Sequence, residues 1–389
     1  MQDTDDAILI TPNTLEAHAL LSIARDRKSE TRRLLSLMDD NQLYALLESA
    51  ATHRTLPLLV EAALETDLKD TGIGTMLRRL MGHYKITSSL RHCEYGRLLE
   101  NLYARNLKPV VVKGYWLAGN AYRSPWLREY NDLDILLSEC ELPAAVNILR
   151  ENGYDQVEYG ADNVARPLST ERLTGYRREL QHLGEFVKMD STTLTHRVDV
   201  HFRFNTAFDH IAPDAQRILN DAVPHPGDEP AYLIPASADL INHLCYHAWW
   251  DTQSVDNVRK GRDLRLFQYV DIYLACHQLN IDAELIIDRA NTLGCQETAH
   301  YGLDMATRLI GPVPGDNRAI DREIGYRLGN AFADRWVQRT TSQPFAYWDT
   351  PAYERIFDNS RQSRACTLFF KRHINARLRS GDIMTWTER

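Results

Sequence analysis

Apolar residues recur at intervals of three and four along the first hundred residues, which is the spacing of helices with one buried face. Segments such as TLEAHALLSIA, NQLYALLESAA and LPLLVEAALE follow this pattern from residue 13 onwards. The pattern predicts an N-terminal helical region over residues 1–105.

The spacing changes at residues 109–113, where the run PVVVK contains three valines and ends at Gly114. A helical pattern follows up to Tyr122, so this stretch predicts a strand, a glycine turn and a helix. Three further segments, REYNDLDILL, RELQHLGEFVKM and THRVDVHFRF, also predict strands, and the last two can pair as a hairpin. Residues 106–223 are therefore expected to form an α/β core with a mixed sheet.

Prolines and glycines crowd the segment PHPGDEPAYLIPAS, which is typical of a linker. Beyond it, ADLINHLCYHAWW, LRLFQYVDIYLACHQL and AELIIDRANTLG return to helical spacing. We expect a C-terminal helical domain over residues 236–389. The predicted fold class is α+β, with the mixed-sheet core flanked by N- and C-terminal helical domains.

Composition and charge narrow the function classes. The formal net charge of −8 argues against a protein that coats nucleic acid with its whole surface, although a local basic patch leaves such a partner open. The N-terminus MQDTDDAILI has no basic segment followed by an apolar run, and no stretch reaches the roughly 18 apolar residues of a membrane span. The cysteines show no C-x-x-C spacing. We expect a cytoplasmic protein without a membrane partner.

Two aspartates lie one residue apart in the predicted strand DLDILL. Alternate side chains of a strand point to opposite faces, so Asp132 and Asp134 share one face while the apolar residues between and after them cover the other. Two carboxylates this close repel each other unless a cation lies between them. A third, Asp199, shares a face with His201 in the strand VDVHF. If the strands are neighbours, the three aspartates can hold magnesium, or manganese.

Phosphate-binding groups are expected nearby. Gly114 opens a helix directly after a strand, and the free backbone N–H groups at such a helix start can receive a phosphate. Lys113 stands beside this turn. Arg128, four residues before Asp132, can either clamp a phosphate or neutralise the aspartates.

The order VVVKGYWLAGNAY, LREYNDLDILL, a helix ending LRENGY, and VDVHFRF resembles the nucleotidyltransferase superfamily that shares the DNA polymerase β-like fold. It is most similar to the bacterial family called uncharacterised nucleotidyltransferases, over roughly residues 40 to 275. In that family a strand ends in Lys-Gly, an arginine precedes an Asp-x-Asp pair, and a later strand carries hydrophobic-Asp-hydrophobic-His. The matching positions are Lys113, Gly114, Arg128, Asp132, Asp134, Asp199 and His201. One departure is Tyr115, where the superfamily has the serine or glycine that follows this first glycine.

The resemblance implies magnesium-dependent transfer of a nucleoside monophosphate from an NTP, with ATP as the expected nucleotide, to a small-molecule, peptide or protein acceptor. Asp132 and Asp134 would bind the metal, and Asp199 would act as third ligand or general base. The implied nucleotide-binding residues are Lys113, Gly114, Arg128 and His201. Two alternatives stay open: a glycosyltransferase whose D-x-D holds a nucleotide sugar through manganese, and a catalytically silent nucleotide- or peptide-binding protein of the same fold.

Overall fold

The computed structural model describes residues 9–10, 12–159, 165–169, 182–189, 194–204, 211–227, 231–332, 346–358 and 360–363. Helices surround one mixed sheet over this part of the chain, which confirms the predicted α+β class and its helical flanks.

Short polar residues start the N-terminal helices. Thr14 caps the first helix and Thr71 the last, each accepting a backbone N–H of the first turn, and Asp39 forms a reciprocal capping box with Gln42. These caps satisfy donors that a helix start leaves without an internal partner. The helices are α1 (Leu15–Ala24), α2 (Lys28–Ser36), α3 (Asp40–Thr52), α4 (Leu56–Leu64) and α5 (Gly72–Ala104).

The strands of the core are β1 (Val110–Val111), β2 (Asp132–Leu136), β3 (Asp155–Tyr159), β4 (Ala165–Pro167), β5 (Phe186–Met189), β6 (Thr195–His201), β7 (Val223–Pro224) and β8 (Leu233–Ile234). These described strands form an eight-stranded mixed sheet in the order β4-β3-β5-β6-β2-β1-β8-β7. β2 pairs with β6, and β1 with β8, in parallel, whereas the other neighbours are antiparallel. The predicted β5–β6 hairpin is confirmed.

The proline-rich segment expected to be a linker contributes to two strands of this sheet, β7 and β8. β7 lies at the sheet edge, where a proline that lacks an N–H is tolerated. β8 lies beside β1 and brings the chain across to the helices that follow. The remaining helices are α6 (Gly114–Asn120), α7 (Leu142–Glu151), α8 (Ala215–Asp221), α9 (Ser237–Thr252), α10 (Val255–Arg259), α11 (Leu266–Leu279), α12 (Ala283–Leu293), α13 (Gln296–Leu309), α14 (Arg322–Asn330) and α15 (Ala352–Arg355), with a small β9 (Ala331–Phe332) and β10 (Ala346–Tyr347) pair.

Alternation along the two central strands separates the core from the polar face. Leu133 and Ile135 of β2, and Val198 and Val200 of β6, are fully buried. One cluster of buried apolar side chains continues from the N-terminal helices through this layer to the C-terminal ones. The predicted limits between the three regions stay predictions. Within the described residues, no helix combines the length and apolar character that a membrane crossing requires.

Candidate active site

The pairing of β2 with β6 brings the predicted carboxylates together. The two strands run parallel with Asp134 directly opposite Asp199, so both side chains and that of Asp132 point to the same face. Tyr95 of α5 holds the start of both strands: its hydroxyl donates to the carbonyl of Asn131 at 3.2 Å and accepts the backbone N–H of Arg197 at 3.1 Å. The register of the sheet thus depends on a long helix from the N-terminal region.

Two positive or polar groups reach the same oxygen of Asp134. The Lys113 Nζ lies 2.6 Å from Asp134 Oδ1, and the His201 Nε2 lies 3.1 Å from it. Ligand atoms of Asp134, Asp199 and His201 all lie within 4.8 Å of one another. Lys113, Asp132, Asp134, Asp199 and His201 are called the carboxylate cluster below.

The three carboxyl groups differ in the direction in which their surroundings shift the pKa. Burial and then the charges of Asp134 and Asp132 raise the pKa of Asp199 well above its ordinary value. Burial and Asp134 also raise the pKa of Asp132, against the pull of Lys113. Burial acts in the same direction on Asp134, but Lys113 and the His201 hydrogen bond outweigh it and hold this pKa well below its usual range. Asp134 is therefore the most acidic of the three carboxyl groups, and its charge is one cause of the raised pKa of the other two.

His201 is a neutral partner of Asp134. Burial lowers the pKa of His201 to about 4, although the hydrogen bond to Asp134 acts to raise it. Because ionised Asp134 can only accept, Nε2 carries the proton and Nδ1 does not. The Nδ1 atom is buried and has no hydrogen-bond partner among the described residues. Neutral His201 therefore orients Asp134 without cancelling its charge.

The donor set fits a magnesium ion. The carboxylate oxygens of Asp132 and Asp199 have no hydrogen bond or ion pair with any described residue, although both side chains are half-buried. Carboxylate oxygens are the ligands that magnesium and manganese prefer. The Lys113 ammonium at Asp134 shows that the cluster already attracts one cation. The ligand atoms that converge are those of Asp134, Asp199 and His201, and these residues could hold the metal. Metal binding by Asp132 stays a prediction.

A cavity of about 1020 Å³ opens beside the cluster, with Lys113, Asp132 and Asp134 in its wall. Gly114 also lines it at the start of α6. A Cβ atom at residue 114 would lie 2.7 Å from the Cβ of Tyr130, so a larger side chain would force the backbone away. Many of the lining side chains are cationic: Arg54, Arg91, Lys113, Arg128, Arg197, Lys260, Arg262 and Arg265. A polyanion suits such a lining.

Arg128 lies in the cavity wall, but its guanidinium is held by Asp271 of α11. Nε donates to both carboxylate oxygens at 2.8 and 2.9 Å, and Nη2 donates at 2.7 Å. Nη1 donates to the carbonyl of Glu129, and the Tyr122 hydroxyl donates to Asp271 at 2.7 Å. Arg128 was expected either to bind a phosphate or to neutralise Asp132 and Asp134. The structure instead pairs its guanidinium with Asp271 of α11. Phosphate binding by Arg128 stays a prediction.

Sequence reasoning missed the side of the cavity that faces the sheet. There, Arg265 Nη2 donates to Asp251 Oδ2 at 2.8 Å, and three guanidinium groups surround the Phe267 ring. The contacts of Arg54 and Arg128 with the Phe267 ring join residues that are far apart in sequence, so no local pattern could have revealed them. This helical wall consists of Arg54, Arg128, Asp251, Arg265, Phe267 and Asp271.

Comparison with known families agrees with the geometry. A family model described as an uncharacterised nucleotidyltransferase matches residues 39–311, which include the carboxylate cluster and the helical wall. No curated protein matches the chain. The match spans well over half of the sequence, and the chain therefore belongs to the uncharacterised nucleotidyltransferase family.

Proposed function

We propose that this protein is a magnesium-dependent enzyme that transfers a nucleoside monophosphate from an NTP to a small-molecule, peptide or protein acceptor and releases pyrophosphate. The observation that carries the proposal is the register of β2 and β6, which puts Asp134 opposite Asp199 with Asp132 on the same face. Membership of a nucleotidyltransferase family supports the same chemistry. ATP is the expected nucleotide.

Four members of the carboxylate cluster have a role in the proposed reaction. Asp132 and Asp134 would hold magnesium, which when bound would neutralise charge on the phosphate oxygens. An acceptor oxygen forms a bond to the α-phosphorus, and the bond to the pyrophosphate oxygen breaks. Asp199 takes the proton from the acceptor as the general base. Lys113 and Gly114 contact phosphate oxygens.

The cavity supports a polar substrate pair. Its volume of about 1020 Å³ reaches the upper end of the range of about 300–1,000 Å³ for ligand pockets, which leaves space for an acceptor beside an NTP. Lysine and arginine side chains in its wall complement a triphosphate. Kinship with the DNA polymerase β-like superfamily, a bacterial origin and a cytoplasmic location stay predictions.

Incubation with each NTP, labelled at the α-phosphate, tests the proposal. The reaction contains magnesium and a host extract as the acceptor source, and Asp134→Asn protein is the matched control. We expect label from one NTP to appear in a new product with wild type, and no such product with the variant or with EDTA. Equal labelling with the variant would contradict the assigned site. Incorporation of sugar from a nucleotide sugar, in place of NMP, would contradict the reaction class.

A further inference from the structure

Arg54 has an unusual backbone conformation at the edge of the cavity. Four non-glycine residues of the described chain have positive φ, and Arg54, at 52°, is one of them. The other three are asparagine or aspartate, whose short side chains tolerate this left-handed region. Arg54 follows the end of α3, where its N–H donates to the Ala51 carbonyl at 3.1 Å and the Thr55 N–H donates to the Ala50 carbonyl at 2.8 Å. This hydrogen-bond pattern ends a helix with a left-handed residue, a position at which glycine is usual and arginine is not.

His53 attaches this turn to the helices of the C-terminal half. Its Nδ1 atom accepts the backbone N–H of Leu266 at 3.3 Å, and its carbonyl accepts the N–H of Phe267 at 3.3 Å. The ring packs edge-on against Phe357 at 5.1 Å. The turn between α3 and α4 is thereby fixed to the start of α11. Since His53 satisfies the first N–H groups of α11, these groups do not serve the cavity.

The Arg54 guanidinium has no carboxylate partner in the helical wall. Arg54, Arg128 and Arg265 lie 5.4, 4.4 and 5.1 Å from the centre of the Phe267 ring. Arg128 and Arg265 each bind a carboxylate, but the half-buried Arg54 guanidinium has no carboxylate partner among the described residues. Burial and then the two neighbouring arginines lower the pKa of Arg54. An arginine nevertheless stays charged, so this corner lacks an anion.

Arg54 lines the same cavity as Lys113, Asp132 and Asp134 of the carboxylate cluster. A ligand that meets Arg54 at one end can therefore approach the metal-binding aspartates at the other. A triphosphate bridges two such groups, with its α-phosphate at the metal and its terminal phosphates at a guanidinium.

We propose that Arg54 binds the β- and γ-phosphates of the NTP and retains the pyrophosphate as it leaves. The guanidinium fork matches two phosphate oxygens and has no competing carboxylate. This subsite rests on the proposed nucleotidyl transfer and extends it to a residue of the N-terminal helical region. That region then completes the nucleotide site.

Replacement by glycine separates binding from folding. Glycine adopts a φ of 52° without steric cost, so Arg54→Gly keeps the turn while it removes the guanidinium. Asn106→Gly is the matched control, because Asn106 has a φ of 61° and is exposed away from the cavity. Arg54→Lys keeps the charge and loses the fork. Thermal unfolding should give both glycine variants a Tm at or above that of wild type.

The binding test is calorimetry with magnesium and three probes: the NTP that wild type binds most tightly among the four, the matching NMP, and pyrophosphate. We expect Arg54→Gly to weaken NTP and pyrophosphate binding by about tenfold to a hundredfold, as loss of a charged hydrogen bond does, with Arg54→Lys in between. NMP affinity should be unchanged, and Asn106→Gly should match wild type for all probes.

Unchanged NTP affinity in Arg54→Gly overturns the subsite, and so does an equal loss of NTP and NMP affinity, because either result removes Arg54 from the terminal phosphates. Wild-type protein that binds none of the four NTPs contradicts the proposed function itself.

Discussion

In the helical wall, Arg128 and Arg265 each have their own carboxylate, whereas in the carboxylate cluster three aspartates share one lysine and one neutral histidine. In a buried arginine–aspartate pair, each charge offsets part of the free energy that removing the other from water costs. Loss of one partner therefore destabilises the fold. Clustered carboxylates without enough cations do not have that compensation. We propose that the charges without a partner of opposite sign, including that of Arg54, lie where substrate and metal bind, and that the paired charges stabilise the fold.

The largest effect is expected from the aspartates of the carboxylate cluster. Asp132→Asn and Asp134→Asn should each reduce nucleotidyl transfer at least about a thousandfold, because metal binding supplies several kcal/mol of transition-state stabilisation. Steady-state assays with labelled NTP measure the loss, and circular dichroism checks the fold. Asp155→Asn, an exposed change on β3, is the control and should leave transfer intact. Transfer by either cluster variant at the wild-type rate would remove the metal assignment.

Asp199→Asn should separate binding from chemistry. The variant keeps the shape of the side chain and loses a base worth about a hundredfold to ten-thousandfold in rate. We expect Mg-NTP affinity within about tenfold of wild type by calorimetry, together with no detectable transfer. If affinity falls as far as it does in Asp132→Asn, then Asp199 acts chiefly as a metal ligand, whereas normal transfer removes Asp199 from the site.

In the helical wall, replacement of an aspartate by asparagine should lower the stability of the fold. Asp271→Asn leaves buried Arg128 without its counter-charge and should lower the free energy of unfolding by about 3–5 kcal/mol. Urea unfolding measures the difference. Glu65→Gln, which breaks the exposed pair with Lys28, is the control and should cost under about 1 kcal/mol. Equal stability of Asp271→Asn and wild type would show that Arg128 does not depend on this pair.

A smaller effect is expected at the lysine. Lys113→Ala should raise the KM for NTP about tenfold while kcat changes less, if the ammonium contacts a phosphate in both ground and transition states. Lys108→Ala, an exposed change outside the cavity, serves as the control. A normal KM with a reduced kcat would instead place Lys113 in the chemical step, beside Asp134.

Local pattern predicted much of the cluster. Alternation in DLDILL and VDVHF correctly predicts two strands, each with its acidic residues on one face. The parallel pairing of β2 and β6 could not be predicted from local pattern, because a long connection separates the two strands. From the sequence it could only be assumed that the two strands are neighbours. The direct opposition of Asp134 and Asp199 became visible with the sheet.

The helical wall could not be predicted in the same way. Arg128 and Asp271 are 143 residues apart, and no periodicity links a strand-flanking arginine to one aspartate of a later helix. Arg54 follows an ordinary helical segment, and its approach to the Phe267 ring depends on the contact of His53 with the start of α11. The two strands within the proline-rich segment are two residues each, too short for an alternating pattern.

Manganese binding, followed by electron paramagnetic resonance of the free ion, tests the contrast between the two regions most directly. The titration compares wild type with Asp134→Asn from the cluster and Asp251→Asn from the helical wall, each with and without NTP. The account predicts that wild type and Asp251→Asn deplete free manganese and that Asp134→Asn does not. Equal depletion by all three proteins, or a loss confined to Asp251→Asn, would contradict the assignment of the metal to the carboxylate cluster.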